Sequence, residues 1–485
     1  MSSTQMLMQS LAIGAPEVVL AAGALVLLLI GVFRGHGALA GLSWGATILF
    51  GLTALTVIDD SPARLLAWNS LYVADALSAY LKILILVGAA ASVLMSVRWL
   101  ERAGTARFEY PVLIVLSVLG MFVMVSANNL LALYMGLELM SLSAYVLAAF
   151  QRDDARSSEA GLKYFVLGAL SSGVLLYGVS LVYGFAGSTD FTAVAASLSG
   201  GGERHSGALI GLVFVFAGLA FKVSAVPFHM WTPDVYEGAP TPVSAFFASA
   251  PKVAAMGLFL RVALDAFSGM IADWRQIIIF MAIASMLLGA VGAIGQTSLK
   301  RLLAYSSINN IGFVLIGLAA ANHSGASAVL FYLVVYMVMT LGAFLCVLAL
   351  ADADGEPLDS LADLSGLVRS RPWLAVALAM FMLSLAGLPP LFGFMPKLAV
   401  FNAAVAANLW LLAVIGVLSS VIAAYYYLRI VKLLFFDAPA GTVAGGRFGV
   451  EAVLMLAAAL FVSPLGYLLL GPLSAASRLA AASLF

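Results

Sequence analysis

The stretch GLAFKVSAVPFHMWTPDVYEGAPTPVSAFFASAPKVA, residues 218–254, decides how this chain folds. It is long and apolar enough to enter a bilayer, yet it holds Lys222 and Lys252, with Pro227 shortly after the first lysine. A charged side chain at the centre of a membrane helix costs about 2.5–3.5 kcal/mol even on lenient insertion scales. A proline removes a backbone donor and clashes one turn back, so the helix kinks or opens there. At membrane depth such irregular backbone persists only where it is buried in protein or lines a wet cavity.

The same combination recurs in MLSLAGLPPLFGFMPKL, residues 382–398, where Pro389, Pro390 and Pro396 precede Lys397. Each break alone reads as an ordinary proline kink. Two breaks beside two lysines, in helices five positions apart in the span order, read as corresponding parts of two five-helix units of opposite topology, the pattern of a transport site.

Working outward, the chain has 485 residues, 63% hydrophobic and only 9% charged, where soluble domains carry about 25% charged residues. The bilayer is therefore its solvent, and the fold class is an all-α polytopic membrane protein. With 23 basic and 23 acidic residues no basic surface is left over for nucleic acid. One cysteine, Cys346, excludes an internal disulfide and a Cys-ligated cluster, and His36, His205, His229 and His323 lack metal-ligand spacing. No phosphate-binding or dinucleotide motif is present. The N-terminus lacks the basic region of a signal peptide, so the first apolar segment is expected to stay as a span.

Fourteen apolar segments are long enough to cross, near 17–33, 38–57, 76–97, 109–126, 129–150, 158–186, 207–228, 241–264, 275–295, 301–320, 326–350, 373–404, 408–432 and 449–471. With the N-terminus outside, the inside loops hold thirteen basic residues: Arg34, Arg98, Arg102, Arg107, Arg152, Arg156, Lys300, Arg301, Arg369, Arg371, Arg429, Lys432 and Arg447. The other side holds five: Arg64, Arg204, Arg261, Arg275 and Arg478. The positive-inside rule thus supports fourteen spans with both termini outside.

The basic residues left over are Lys82, Lys163, Lys222, Lys252 and Lys397, all inside spans, with Glu138 beside them. Lys82 is near a span end, where a long stem snorkels to the interface. For the rest, one reading is buried ion pairs that fix helix packing. Against it stands the imbalance of four lysines to one carboxylate. The other reading is a row of proton-holding sites, because a desolvated amine without a permanent partner takes and releases protons near neutrality. Glu138 is then the acidic partner that ties one site to the next. Lys163, about four residues inside its span, also suits a pair with a neighbouring chain. Ser171, Ser172, Tyr305, Ser306, Ser307, Asn309 and Asn310 either allow tight packing or hold water between the charges. His229, just past the first break, is either structural or a possible proton relay.

The strings LYMGLELMSLSAYVL (133–147), EAGLKYFVLGALSSGVLLYGVSLVYG (159–184), FKVSAVPFHMWTPDVYEGAPTPVSAFF (221–247), SLKRLLAYSSINNIGF (298–313) and LAGLPPLFGF (385–394) resemble the antiporter-like subunits of NADH:quinone oxidoreductase, respiratory complex I, in their N-type form. The resemblance covers roughly residues 70–435. DVYEGAPTPVS and SSEAGLKYF look like the N type rather than L or M, and no residues remain for an L-type lateral helix. It implies fourteen helices in two inverted five-helix repeats, with the seventh and twelfth discontinuous. By position, Glu138 matches the fifth-helix glutamate and Lys163 the sixth-helix lysine. Lys222, Lys252 and Lys397 match the seventh-, eighth- and twelfth-helix lysines of proton transfer. Asn310 departs from relatives that often carry histidine there, which leaves it a hydrogen-bonding role.

The resemblance also implies that FMN, iron–sulfur clusters, NADH and quinone are handled by partner subunits, with no redox cofactor or metal in this chain. The expected partners are neighbouring antiporter-like and small helical subunits and the lipid bilayer. The expected layout is one membrane domain, 1–485, with three N-terminal helices in 1–107, repeats at 108–267 and 273–437, and a C-terminal helix in 448–485. High alanine, glycine and leucine content points to a bacterial source, hence to the inner membrane with both termini periplasmic. The rival readings are a subunit of a multisubunit cation/proton antiporter and a structural or assembly subunit.

Overall fold

The computed structural model describes residues 3–58, 64–199, 203–352, 357–439 and 449–485, leaving aside the side chains of 3 and 203–205. Arg204, His205 and Arg447 of the sequence reading thus lie outside the described residues or side chains.

Among the described residues the helices run α1 Ser3–Ile13, α2 Ala15–Arg34, α3 Leu39–Ile58, α4 Ala76–Arg102, α5 Glu109–Val125, α6 Leu130–Ala148, α7 Ala155–Ala186, α8 Phe191–Leu198, α9 Glu203–Val223, α10 Trp231–Gly238, α11 Thr241–Phe247, α12 Ala250–Arg261, α13 Ile271–Ile294, α14 Leu299–Ala319, α15 His323–Leu348, α16 Leu367–Ser370, α17 Pro372–Ala386, α18 Phe394–Ala406, α19 Trp410–Phe436, α20 Val450–Val462 and α21 Leu470–Ala482. The described strands are a short antiparallel hairpin, β1 Leu65–Ala67 and β2 Tyr72–Ala74, ahead of α4.

Among the described residues, twelve helical stretches are long and apolar enough to cross a membrane. Together with the shorter apolar helices α5, α17, α18 and α20, they account for all fourteen segments of the sequence reading. Two segments differ: 241–264 is split at Ala248 and Ser249 between α11 and α12, and 449–471 is not continuous, because Ser463 and Pro464 end α20 and a 3₁₀ stretch, Pro464–Leu469, leads into α21.

The helices start where polar caps meet the membrane edge, where orphan N–H groups most need an acceptor. Asp75 and Ser78 form a reciprocal capping box on α4, with Ser78 N donating to Asp75 Oδ1 at 2.8 Å. Asn129 accepts from Leu131 N at 2.8 Å on α6, and Asn322 accepts from Gly325 N at 2.8 Å on α15.

Glycine permits close helix contact in matching places. A Cβ on Gly120 of α5 would lie 2.3 Å from Met140 N of α6, and one on Gly289 of α13 would lie 2.5 Å from Asn309 N of α14. These two helix pairs each open one of the expected repeats, and small residues at helix contacts are how membrane bundles pack.

Helices α11, α12, α14 and α15 are almost wholly buried, whereas α2, α3, α7 and α19 turn much of their surface outward to lipid. Ion pairs join helix ends that the span count puts on one side. Asp75, before α4, holds Arg261, at the end of α12, through two contacts of 2.8 and 2.9 Å. On the opposite side Arg98 meets Glu451, and Arg301 meets Asp234 and Glu237.

Three placements correct the sequence reading. Lys82 does not snorkel: it is 1% exposed and lies 2.7 Å from Glu17 of α2. The Tyr72 hydroxyl accepts from Lys82 at 2.7 Å and donates to Glu17 at 2.8 Å. Arg261 is not a loop residue but fully buried against Asp75. Lys300 is not in an open loop but buried in the first turn of α14, donating to Ala239 O at 2.9 Å.

Candidate functional site

Both proline-marked segments are open in the structure. In the first, α9 stops at Val223, Ser224 takes a left-handed backbone (φ 66°), and α10 begins at Trp231. The carbonyls freed at the end of α9 are taken up individually: Ala220 O accepts from Ala225 N at 2.8 Å, Phe221 O from Trp231 Nε1 at 2.9 Å, and Val223 O from Lys252 Nζ at 3.1 Å. In the second, α17 stops at Ala386 and Gly387 turns the chain at φ 80°. Lys397 of α18 reaches back to donate to Ala386 O at 2.8 Å. A Cβ on Gly387 would lie 2.7 Å from Lys397 Cδ, so the lysine stem needs the glycine as its floor.

In each break, then, an ammonium caps the last carbonyl of a half-helix, where the helix dipole is negative. Lys252 comes from α12 and Lys397 from α18, so the sequence position of the lysine relative to the break does not set this geometry.

Hydroxyls complete each site. Lys252 also donates to Ser224 Oγ at 2.6 Å, and Thr232 donates to the same oxygen at 2.6 Å. Lys397 donates to Ser420 Oγ of α19 at 3.2 Å and lies over the Phe313 ring. Lys222, at the last turn of α9, donates to Ser141 Oγ of α6 at 2.7 Å and to Tyr145 OH at 3.4 Å. These three lysines are 5% exposed or less. None of the ion pairs among the described residues joins one of them to a carboxylate. Glu138 sits on α6, one turn before Ser141, and its Oε1 is buried with no hydrogen-bond partner among the described residues.

Between Lys252 and Lys397, α14 and α15 carry a buried polar network. Tyr336 donates to Ser307 Oγ at 2.7 Å and Tyr332 to Asn310 Oδ1 at 2.8 Å. Asn310 Nδ2 reaches Tyr427 OH of α19 at 3.3 Å, and Tyr427 shares a 2.5 Å hydrogen bond with Ser306. Hydroxyls both give and take hydrogen bonds, so the Tyr336–Ser307 and Tyr427–Ser306 pairs have groups able to pass a proton, while the Asn310 amide holds Tyr332 and Tyr427 in place. Asn309 instead binds Met286 O and Ser419, which holds helices together.

A family model for the transmembrane part of NADH:quinone oxidoreductase and Mrp antiporter proteins matches residues 127–423, a range that contains Glu138 and all three lysines. The NADH-quinone oxidoreductase subunit N of Rhizorhabdus wittichii is 57% identical over 478 residues, covering 98% of this chain and 99% of that relative. The subunit N of Erythrobacter litoralis is 53% identical over 482 residues, covering 98% of each. The chain belongs to the NADH-quinone oxidoreductase subunit N family.

Among solved structures, a chain of respiratory complex I from Thermus thermophilus is 32% identical, with TM-score 0.82 over 96% of this chain and 99% of that one. A chain of the Mrp complex from Dietzia shares the subunit N fold, with TM-score 0.85 at 24% identity over 97% of each chain.

Two expected site residues of this subunit N chain sit apart from the row. Lys163 is not buried: its side chain is 42% exposed, 2.7 Å from Glu159 and 2.8 Å from Asp234. Asp234 joins it to Arg301, which also holds Glu237, so the network clamps α10 to α7 and α14. Burial pushes the Asp234 carboxyl up, but hydrogen bonds from Lys163 and Arg301 outweigh it and hold the group below its ordinary range. His229 lies half-buried in the first break with Nδ1 unpartnered. Ser171 and Ser172 are buried on α7. The tyrosines of the network, Tyr332, Tyr336 and Tyr427, escaped the sequence reading; their hydroxyls were concealed in otherwise apolar runs.

Proposed function

We propose that this chain is the proton-translocating subunit N of a bacterial NADH:quinone oxidoreductase, and that Glu138, Lys222, Lys252 and Lys397 carry the protons. The observation that supports this most is the set of three buried ammoniums with no carboxylate in contact among the described residues, two of them capping opened half-helices. A purely structural lysine would gain from a carboxylate at contact distance, as Lys82 does from Glu17.

Lys222 and Glu138 form the first site, Lys252 the link and Lys397 the last site. Ser224, Ser307, Tyr336, Asn310 and Tyr427 bridge them. Lys163 positions α10 through Asp234, and His229 exchanges protons at the mouth of the first break. The two repeats run over 108–267 and 273–437, preceded by the three spanning helices α2, α3 and α4 within 1–107 and followed by 448–485. The basic-loop bias supports an inner-membrane location with both termini periplasmic.

NADH, FMN, iron–sulfur clusters and quinone belong to partner subunits, and no redox centre is assigned to this chain. A single buried cysteine and dispersed histidines suit that division. The cation/proton antiporter alternative shares the fold and the lysines, but the high identity to subunit N relatives favours the oxidoreductase.

The test uses the assembled complex in inverted membrane vesicles. Lys222→Met and Lys397→Met should each abolish proton uptake per NADH oxidised while the complex still assembles. Full proton yield in both variants, or sodium exchange without NADH oxidation, would overturn the proposal.

A further inference from the structure

On the face that the span count puts inside, a cavity of about 530 Å³ opens among the ends of α4, α7, α10, α14 and α15. Arg102, Asp154, Arg156, Glu237, Lys300 and Asp359 line it, cations and carboxylates in equal number. Most of these groups are solvated rim charges. Lys300 differs, being 7% exposed and hydrogen-bonded to Ala239 O, itself on the cavity wall.

Two routes lead inward from it. On α14, Lys300, Ala304 and Ser307 fall on one helical face at spacings of four and three, all buried. Ser307 is the residue that accepts from Tyr336 in the central network. On α10, Tyr236 sits one position from Glu237 of the cavity wall. Its ring, which bears the hydroxyl, lies 5.8 Å from Lys252 Nζ. That hydroxyl is fully buried and has no hydrogen-bond partner. A buried, orphaned hydroxyl between a charged cavity and a proton-holding lysine is a gap that a bridging group closes during transfer.

We infer that this cavity is the inside entrance for protons, and that Lys300 is the proton-transfer residue that passes them through Tyr236 and Ser307 to Lys252. The step is a proton exchange: the Lys300 amine takes a proton from cavity water and its ammonium gives it up inward, so charge and atoms balance without a co-reactant. Arg301, the next residue along α14, pairs with Glu237 on the cavity rim. This step rests on the proton-translocating reading proposed above.

The decisive variant is Lys300→Arg in the assembled complex, because arginine keeps the cation and the hydrogen bond but does not release its proton. A structural lysine tolerates that exchange; a proton-transfer lysine does not. Removing a positioned proton-transfer group costs roughly 100-fold in the rate of its step, so proton yield per NADH should collapse while quinone reduction, measured with an uncoupler present, continues. In Lys300→Ala, methylamine supplied from the inside face should restore proton yield by standing in for the missing amine. In a third variant, Thr241→Cys, a membrane-impermeant methanethiosulfonate applied from the inside face should label the cavity wall and block pumping; Cys346 is buried and will not compete within this chain.

Full yield in Lys300→Arg, in a preparation where Lys397→Met is inactive, would overturn the inference. So would a loss in Lys300→Ala that methylamine does not reverse, or failure of Thr241→Cys to react. Full yield in both Lys300→Arg and Lys397→Met would overturn the parent proposal, and this step with it.

Discussion

Replacing Lys82 by methionine separates a structural buried charge from a proton carrier. The Lys82 side chain is 2% exposed and that of Glu17 8%, and Tyr72 bridges the two with contacts of 2.7 and 2.8 Å. Removing one partner of a buried pair strands the other, a loss of about 3–5 kcal/mol. Lys82→Met should therefore destabilise the complex by that amount, and Tyr72→Phe, which removes the hydrogen bonds to both charged groups, by about 1.5–3 kcal/mol for each. Adding Glu17→Gln to Lys82→Met removes the stranded charge and should restore most of the stability, which a double-mutant cycle measures directly. The assay is thermal unfolding of purified complex alongside the amount assembled in the membrane. Whatever fraction assembles should pump at the unmodified yield per NADH. A Lys82→Met complex of normal stability that fails to pump would refute the assignment and return Lys82 to the proton row.

Gly387→Ala should impair the last site, because an alanine in the left-handed region costs about 1–2 kcal/mol and the new methyl displaces the Lys397 stem. Reduced proton yield with quinone reduction intact is the expected result, and unchanged yield would count against Lys397 as a carrier. Asp234→Asn should weaken the clamp on α10. Since the Asp234 carboxyl is held below its ordinary range, its contribution is fully present above the unfolded value near pH 4 and is lost only as pH falls through the lower folded value. The fall in thermal stability should therefore be equal at about pH 5 and about pH 8, and small because the pairs are partly solvated. A difference between the two pH values would contradict the sign of the shift.

Much of this was legible in the sequence because the bilayer enforces simple rules. Apolar length revealed the spans, and prolines beside Lys222 and Lys397 marked both openings, since proline breaks a helix whatever surrounds it. What stayed hidden were partnerships between distant spans. Glu17 stood at the outer edge of the first segment, and Lys82 two turns into the third, at similar depth on the same side. Read singly, Lys82 looked like a snorkeler; matched by depth, it had a partner. Arg261 and Asp75 follow the same logic, at the outer ends of α12 and α4. Lys300 was misplaced because a loop boundary drawn two residues late, at 301 where α14 begins at Leu299, puts a buried lysine in water. Lys163 erred the other way, since its span begins earlier than the charge suggests and the ammonium faces out to Glu159 and Asp234. The tyrosine network carried no charge and no break, so nothing in its composition set it apart from packing.

The capped carbonyls at Val223 and Ala386 have a mechanical consequence. In a continuous helix a backbone oxygen is locked to the turn that follows, and no side chain feels its position. Here the end of each rod is held by an amine from another helix, Lys252 or Lys397. A push transmitted along the membrane that slides a rod by a fraction of a hydrogen bond alters the hold on that amine, and a change of charge at the amine pulls on the rod. Under the proposed proton transfer each opened helix acts as a transducer, in which displacement and protonation are one coordinate read at two ends.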